Sequence, residues 1–382
     1  MKRVCMLTSG HAPLDDRIFH REAKSLHRIG YTVVVIAPST SSVQKPMEVG
    51  GIRIIPMPYH RSKVLTRIMA LYYLFRYGLK SGPAIYHCHE VDALWVGILL
   101  SKRTGAKVVY DAHEHFPSLM SENPIFPRVI KPLVRFLIDQ SEKVACRFAD
   151  HVITVNRTLQ QRYRAMRKPT TILYNCPSLQ LYDRWEAPPI GHAGPIVVYN
   201  GGVSKDRGLD RFLLALIEVR KAFPRVLFLV VGKILDNDRF QPWIDRFIRE
   251  NGLAGHFHVT GWMPYEQVPA YLMEADLGVI LFQPSHYNNL IGLPNKLFEY
   301  MGCRKPVVAC HFPEIGAIIE KEQCGLLVDS TRPREIAEAI IYLLAHPEEA
   351  ARMGERGRQA VEQTYNWERM ERALLAVYRE IA

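Results

Sequence analysis

The sequence predicts an α/β protein made of two doubly wound domains, and three observations carry that expectation. Short continuous apolar runs alternate with helix-length segments along almost the whole chain. Strands without polar alternation are buried on both faces, as in parallel sheets covered by helices. The rhythm breaks at residues 183–195, where three prolines and two glycines interrupt either periodicity, and then restarts. The 382 residues, 48% hydrophobic, are enough for two cores at about 150 residues per domain.

Taken in order, the first half places strands at 3–8, 32–37, 52–57, 85–89, 107–111, 151–155 and 171–174, with helices near 17–29, 63–80, 91–104, 133–148 and 157–166. The second half places strands at 196–199, 226–231, 256–260, 277–282, 306–310 and 326–329. Residues 366–382 follow as an amphipathic helix. The expected domains are 1–185 and 186–365, with 366–382 as a closing helix. Ligands of open α/β sheets lie outside the carboxyl ends of the strands, so the expected site is the cleft across which two such domains face each other.

Composition narrows the class. Charged residues at 23% and aromatics at 10% exclude a wholly disordered or fibrous chain. No uncharged apolar run approaches the ~20 residues that span a bilayer, and the start MKRVCMLTSG lacks the apolar stretch of a secretory signal. Seven cysteines without a CxxC pair fit reduced thiols, so the expected location is the cytoplasm. The net charge of +11 is uneven: residues 1–190 hold 27 Lys+Arg against 14 Asp+Glu, and 191–382 hold 22 against 24. The basic half is expected to face phosphorylated lipid, a membrane surface or nucleic acid, with drift in surface composition as the alternative.

The first strand runs into a turn containing Gly10, ahead of a helix opened by Asp15, Asp16 and Arg17. Such a turn can present N–H groups to an anion or a sugar hydroxyl, while either aspartate serves equally as a helix N-cap. Two strand ends carry polar clusters, one with His87, His89 and Glu90, the other with Asp111, His113 and Glu114. Imidazole and carboxylate there can bind hydroxyls or phosphate. Zinc is the competing reading, although Cys88 and the histidines lack the usual ligand spacing. In the second half, Gly201 and Gly202 join a strand to a helix, with Lys205 and Arg207 able to meet phosphate at its N-terminus, and Gly261 ends a further strand similarly. The segment GLPNKLFEYMGC is the densest. Its Lys296 can neutralise a diphosphate and its Glu299 can accept hydrogen bonds from ribose hydroxyls, with a surface ion pair as the plain alternative.

Taken together, DDRIFHREAKSL, YDAHE, YNGGVSKDRGLD, VTGWMPYEQVPAYLMEADLGVI, LPNKLFEYMGCRKPVVA and CGLLVD resemble, in order and spacing, glycosyltransferase family 4 with its GT-B fold of two Rossmann-like domains. The resemblance covers nearly the whole chain. It implies a retaining transferase that uses a nucleotide-sugar donor, UDP-sugar ahead of GDP-mannose, with no cofactor and no metal. It also implies a donor site in the second domain and an acceptor site in the first, with the closing helix packed back on the first. Carried over by position, Arg207 and Lys296 contact the diphosphate, Glu299 the ribose and His113 the transferred sugar; these imply a catalytic set of His113, Arg207 and Lys296. Gly10, Gly201, Gly202, Lys205, Gly261 and Asn295 complete the implied donor site. Arg17, His89 and Glu114 are the acceptor candidates.

Three positions depart from the family pattern. Ile291 stands where the first of two glutamates is usual, leaving the sugar hydroxyls to backbone groups or to Asn288, Asn289 or Asn295. Gly202 replaces a basic residue, and Arg304 replaces a glycine. The expected acceptor is a lipid-linked glycan of bacterial-type cell-surface polysaccharide synthesis, reached by docking on the inner face of the cell membrane. The aromatic segment 63–80, basic at each end, is expected to rest on that anionic surface or to be a core helix. In 133–148, Leu133, Leu137, Val144 and Phe148 line one side, and ion pairs account for the other. Two alternatives stand beside the transferase: a nucleotide-sugar 2-epimerase of the same fold, and a basic nucleic-acid-binding protein. No recognised nucleic-acid motif accompanies the charge, so no nucleic acid is expected as partner.

Overall fold

The computed structural model describes every residue except 1, 59–62, 124–125, 184–189, 236 and 382. The chain forms two compact units, residues 1–175 with 369–382, and residues 176–368. Of the break read at 183–195, residues 184–189 lie outside the described residues.

The first unit holds an eight-stranded sheet of β1 (Arg3–Leu7), β2 (Thr32–Pro38), β3 (Met47–Val49), β4 (Ile52–Met57), β5 (Ile85–Cys88), β6 (Lys107–Ala112), β7 (His151–Thr154) and β8 (Thr170–Ile172). Their order is β3-β4-β2-β1-β5-β6-β7-β8. All neighbours pair in parallel except β3 and β4. The short edge strand β3 is the one the apolar runs did not predict, because Met47 and Glu48 are exposed and three residues carry no period. By contrast Val4, Cys5, Met6 and Leu7 of β1 are fully buried, as continuous apolar strands should be.

The second unit holds β9 (Ile196–Asn200), β10 (Leu227–Val231), β11 (Phe257–Val259), β12 (Leu277–Ile280), β13 (Val307–Cys310) and β14 (Gly325–Val328), parallel throughout, in the order β11-β10-β9-β12-β13-β14. Val197, Phe212, Leu216, Phe228 and Leu277 form the centre of its core. In each unit the first strand sits mid-sheet, and the strand order reverses beside it, at β1/β5 and at β9/β12. Such switch points leave a crevice at the strand ends. They place the turns after β1, β5, β9 and β12 where ligands bind.

Several helices differ from expectation. The segment expected at 17–29 is a π-helical stretch, Asp16–Ala23, that continues as the α-helix Lys24–Arg28. A helix at Phe116–Ser121 was not anticipated. The helix Lys63–Ser81 sends Ala70 and Leu74 into the core, so the core reading holds for it and the membrane reading does not gain. The helix Lys131–Cys146 inverts the usual arrangement. Glu142 on its polar side is completely buried, accepting hydrogen bonds from Tyr163 Oη at 2.8 Å, Tyr110 Oη at 2.9 Å and Arg162 Nη2 at 2.7 Å. Its apolar Leu133, Phe136 and Leu137 remain more than half exposed. Among the described residues, no helix is long and apolar enough to cross a membrane.

Candidate functional site

In the first unit the turn after β1 is built around the carboxylate of Glu90, which follows β5. Glu90 Oε1 accepts from Thr8 Oγ1 at 2.6 Å and from the Gly10 amide at 3.1 Å, and Oε2 accepts from the Ser9 amide at 2.9 Å. Burial raises the pKa of Glu90, with these hydrogen bonds and nearby His11 opposing it. Asp15 is the N-cap of the following helix, accepting from the amides of Arg17 at 2.9 Å and Ile18 at 3.0 Å. Ser9, Gly10, His89, Glu90, His113 and Glu114 help line one cavity of about 550 Å³.

Behind this cavity lies a buried charge network. Arg17 grips Asp111 of β6 with two hydrogen bonds, Nε to Oδ2 at 2.8 Å and Nη2 to Oδ1 at 2.9 Å. Its Nη1 donates to the Leu173 carbonyl at 2.9 Å and to Asn175 Oδ1 at 2.7 Å. Arg17, expected as an acceptor contact, is 5% exposed and engaged with these groups of the protein itself. Burial pushes Asp111 upward, but Arg17 and His113 outweigh it and hold this carboxyl well below the usual range. Burial and the neighbouring Asp111 push Glu22 well above its usual range against the pull of Arg17, so Glu22 carries the proton of the pair.

Asp111 Oδ2 in turn holds His113 Nε2 at 2.8 Å, and His89 Nδ1 lies 3.2 Å from the same nitrogen. An ionised acceptor favours the Nε2–H tautomer of His113, leaving Nδ1 as a hydrogen-bond acceptor. Burial lowers His89 to about 4 and His87 well below 6.5, so both are neutral near pH 7. His87 Nδ1 meets Tyr378 Oη of the closing helix at 2.7 Å. Glu22, His87, His89 and Asp111 offer ligand atoms within 4.8 Å of one another, a donor set a divalent transition ion can use. Arg17 already stands 3.1 Å from Glu22 and 2.8 Å from Asp111, supplying positive charge to both carboxyls.

In the second unit, the turn after β9 meets the helix Asn295–Gly302. Gly201 has φ 98°, and a Cβ there would stand 3.8 Å from Lys296 Nζ, so backbone and ammonium share one small space. Lys296 Nζ sits 3.7 Å from the Tyr199 ring centre and 5.6 Å from that of Phe282, while the Arg207 guanidinium is 4.5 Å from Phe282. Gly208, at φ 82°, packs so tightly on Leu281 that a Cβ would lie 2.1 Å from its carbonyl oxygen, fixing Arg207 in this turn. Burial, with Arg207 adding to it and Glu299 opposing, holds the Lys296 pKa well below 10.5. Cation–π attraction holds both cations at one ring, and their mutual repulsion there is a cost that a bound anion would relieve.

Glu299 is 4% exposed and anchored on both oxygens, by Asn200 Nδ2 and by Tyr265 Oη at 2.9 Å. Asn295 opens the helix at partial exposure, and Gly261 adopts φ 80° with open space around its Cα. Gly202 abuts Leu235, and exposed Lys205 lines a different cavity with Asp210, Arg211, Phe240 and Trp243. The structure thus gathers Gly201, Arg207, Lys296 and Glu299 and leaves Lys205 elsewhere. Ile291 is buried, an apolar residue ending the short helix Tyr287–Ile291. Arg304 takes φ 57°, a left-handed conformation that explains the glycine expected at that position.

Each of the two units matches a described family. The description "Glycosyl transferases group 1" matches residues 186–360, and "Glycosyl transferase 4-like domain" matches residues 16–175. The chain belongs to the group 1 glycosyltransferases. It is 25% identical over 310 residues to alpha-D-kanosaminyltransferase of Streptomyces kanamyceticus, 77% of this chain and 76% of that one. It is also 25% identical to a GDP-mannose-dependent alpha-(1-6)-phosphatidylinositol monomannoside mannosyltransferase of Mycolicibacterium smegmatis, covering 73% and 74%. In fold it resembles sucrose-phosphate synthase of Thermosynechococcus elongatus, with TM-score 0.77 and 19% identity over 100% of this chain and 99% of that one. Anabaena HepE in complex with UDP-glucose gives TM-score 0.75 and 17% identity over the whole of both chains. These similarities lend no support to the epimerase or nucleic-acid readings.

For this glycosyltransferase, sequence reasoning missed two roles. Glu90 was seen only as part of a polar cluster, yet it shapes the Gly10 turn. Asp111 carries the charge behind His113 with protonated Glu22 beside it, and the signal lay in a carboxylate set inside an otherwise apolar strand.

Proposed function

We propose that this glycosyltransferase moves a sugar with retention from a nucleotide-sugar donor, UDP-sugar ahead of GDP-mannose, to a lipid-linked glycan, without metal. The observation that carries the reading is the pair Lys296 and Arg207 converging at the Gly201 turn beside Glu299. A leaving diphosphate gains negative charge in the transition state, and cations held in place beforehand stabilise it without reorganisation. Glu299, oriented by Asn200 and Tyr265, accepts hydrogen bonds from the ribose hydroxyls. His113, positioned by Asp111, offers Nδ1 to a hydroxyl of the transferred sugar. Retention follows from attack on the face the diphosphate leaves. The bond from the anomeric carbon to the diphosphate breaks, the bond to the acceptor oxygen forms, and a diphosphate oxygen takes the acceptor proton.

The HepE complexes with UDP and UDP-glucose support a uridine donor, and the GDP-mannose-dependent mycobacterial relative supports the second choice. That relative's phosphatidylinositol acceptor and the dolichol-linked substrate named for another relative support a lipid-linked acceptor. Calorimetry with UDP, GDP and their sugars, with a chelator present, tests the donor site. One nucleotide should bind selectively, and Glu299→Ala should weaken it about tenfold or more, a loss of about 1.4 kcal/mol. Unchanged affinity in the variant would remove the ribose role, and loss of transfer on chelation would reassign Glu22, His87, His89 and Asp111 as a metal site.

A second measurement follows from the depressed Lys296 pKa. A diphosphate beside the ammonium raises that pKa, so binding takes up a proton wherever the solution pH lies between the free and bound values. Affinity is fullest below the free value and declines as pH rises through the bound one. Calorimetry in buffers of different ionisation enthalpy should register this uptake; proton release on binding would contradict it.

A further inference from the structure

The helix Lys131–Cys146 is attached to the first unit by its charged side and shows its apolar side to solvent. Glu142 is buried beneath Tyr110, Tyr163 and Arg162, Asp139 accepts from Arg162 at 2.6 Å, and Ser141 accepts from Trp95 of the helix Val91–Thr104 at 2.9 Å. On the opposite side Leu133, Phe136, Leu137 and Val144 recur at helical spacing, 41–58% exposed. The surface continues into Val129, 87% exposed in the turn Arg128–Ile130, and into Phe148, whose ring carries Lys102 Nζ at 5.0 Å. A contiguous apolar surface of this kind needs a partner.

We propose that this face docks on an anionic lipid bilayer. Charge complementarity selects that occupant. Exposed Arg128 and Arg147 flank the helix at its two ends, and exposed Lys102 lies over the Phe148 ring. The carboxylates of the two helices, Asp92, Asp139 and Glu142, are held by Ser9, Lys143 and Arg162 rather than turned outward. Apolar side chains entering the headgroup boundary flanked by cations are what an anionic surface attracts, and the unit's excess of basic residues adds a long-range pull. The purpose of such docking rests on the lipid-linked acceptor reading, but the binding itself does not depend on which donor or acceptor is used.

Flotation with vesicles of phosphatidylcholine, with and without about one-third phosphatidylglycerol, tests the proposal. The protein should partition onto the anionic vesicles only, and binding should weaken between about 0.05 M and about 0.5 M salt. Phe136→Ser/Leu137→Ser should lower the partition coefficient about tenfold or more with an unchanged melting temperature, because both side chains are exposed. Arg128→Glu/Arg147→Glu should do the same and serves as the readout should the apolar pair misfold. Tyr72→Ser, exposed on the helix Lys63–Ser81, should leave binding intact. Equal binding to neutral vesicles, no binding at all, or equal loss in Tyr72→Ser would overturn the proposal. So would a concentration-dependent dimer, seen by light scattering and broken by the Phe136/Leu137 pair, since the face would then belong to a second copy of the chain. Calorimetric nucleotide binding, measured separately, reports on the donor reading whatever the vesicles show.

Discussion

Replacing Lys296 with methionine is expected to lower kcat/KM by about 10²–10³-fold, some 2.7–4 kcal/mol of transition-state stabilisation, while making the unliganded protein more stable. The two effects share one cause. Lys296 is buried against Tyr199 and Phe282 beside a second cation, so its charged form is disfavoured in the folded state. Its folded pKa lies below the unfolded value, which means that at neutral pH folding must overcome that difference; a methionine of similar length removes the penalty. A gain of about 1 kcal/mol is expected by chemical denaturation, in line with sites that trade stability for function. A structural role would give the opposite sign, with stability and activity falling together. Arg207, the other cation at this ring, should show a similar loss of kcat/KM on truncation.

Arg17→Ala is expected to cost about 3–5 kcal/mol of stability, because it strands a buried carboxylate. Asp111 is fully buried and is kept ionised by the guanidinium. The sign with pH is distinctive. In the native protein, Asp111 contributes stability above its unfolded pKa and loses it as pH falls through its lowered folded value. Without Arg17, burial prevails and raises that carboxyl. The variant should then be least stable near neutrality and recover relative to the native protein as pH falls and Asp111 protonates. Urea unfolding across pH reads this directly, and a loss under about 1 kcal/mol with no pH trend would show that Arg17 does not hold the network.

How much of this was legible in the sequence depends on chain separation. Lys296 and Glu299 lie three apart on one helix, and Gly201 and Arg207 lie within one turn, so the proposed donor site could be assembled from two contiguous segments. The Arg17–Asp111 grip joins residues 94 apart, and no local pattern shows that an arginine at a helix start will be used up by a strand carboxylate. The helix Lys131–Cys146 shows a second limit. Its amphipathic spacing was plain, but periodicity does not say which face meets the core, and here buried Glu142 with its tyrosine partners decides it. Arg304 shows the reverse case, since a glycine expected from the family pattern foretold a left-handed backbone that the structure contains.

The central claim is that the cations at Gly201 and the carboxylate of Glu299 serve the transfer of a sugar from a nucleotide donor. Its most direct test incubates the protein with labelled UDP-sugars and GDP-mannose, a chelator and extracted lipid acceptors, and follows nucleoside diphosphate release and label transfer together. The account predicts that one donor gives release matched by incorporation into lipid-extractable product of unchanged anomeric configuration, with both lost in Lys296→Met. Release without incorporation, or equal turnover in the folded Lys296→Met protein, would contradict it.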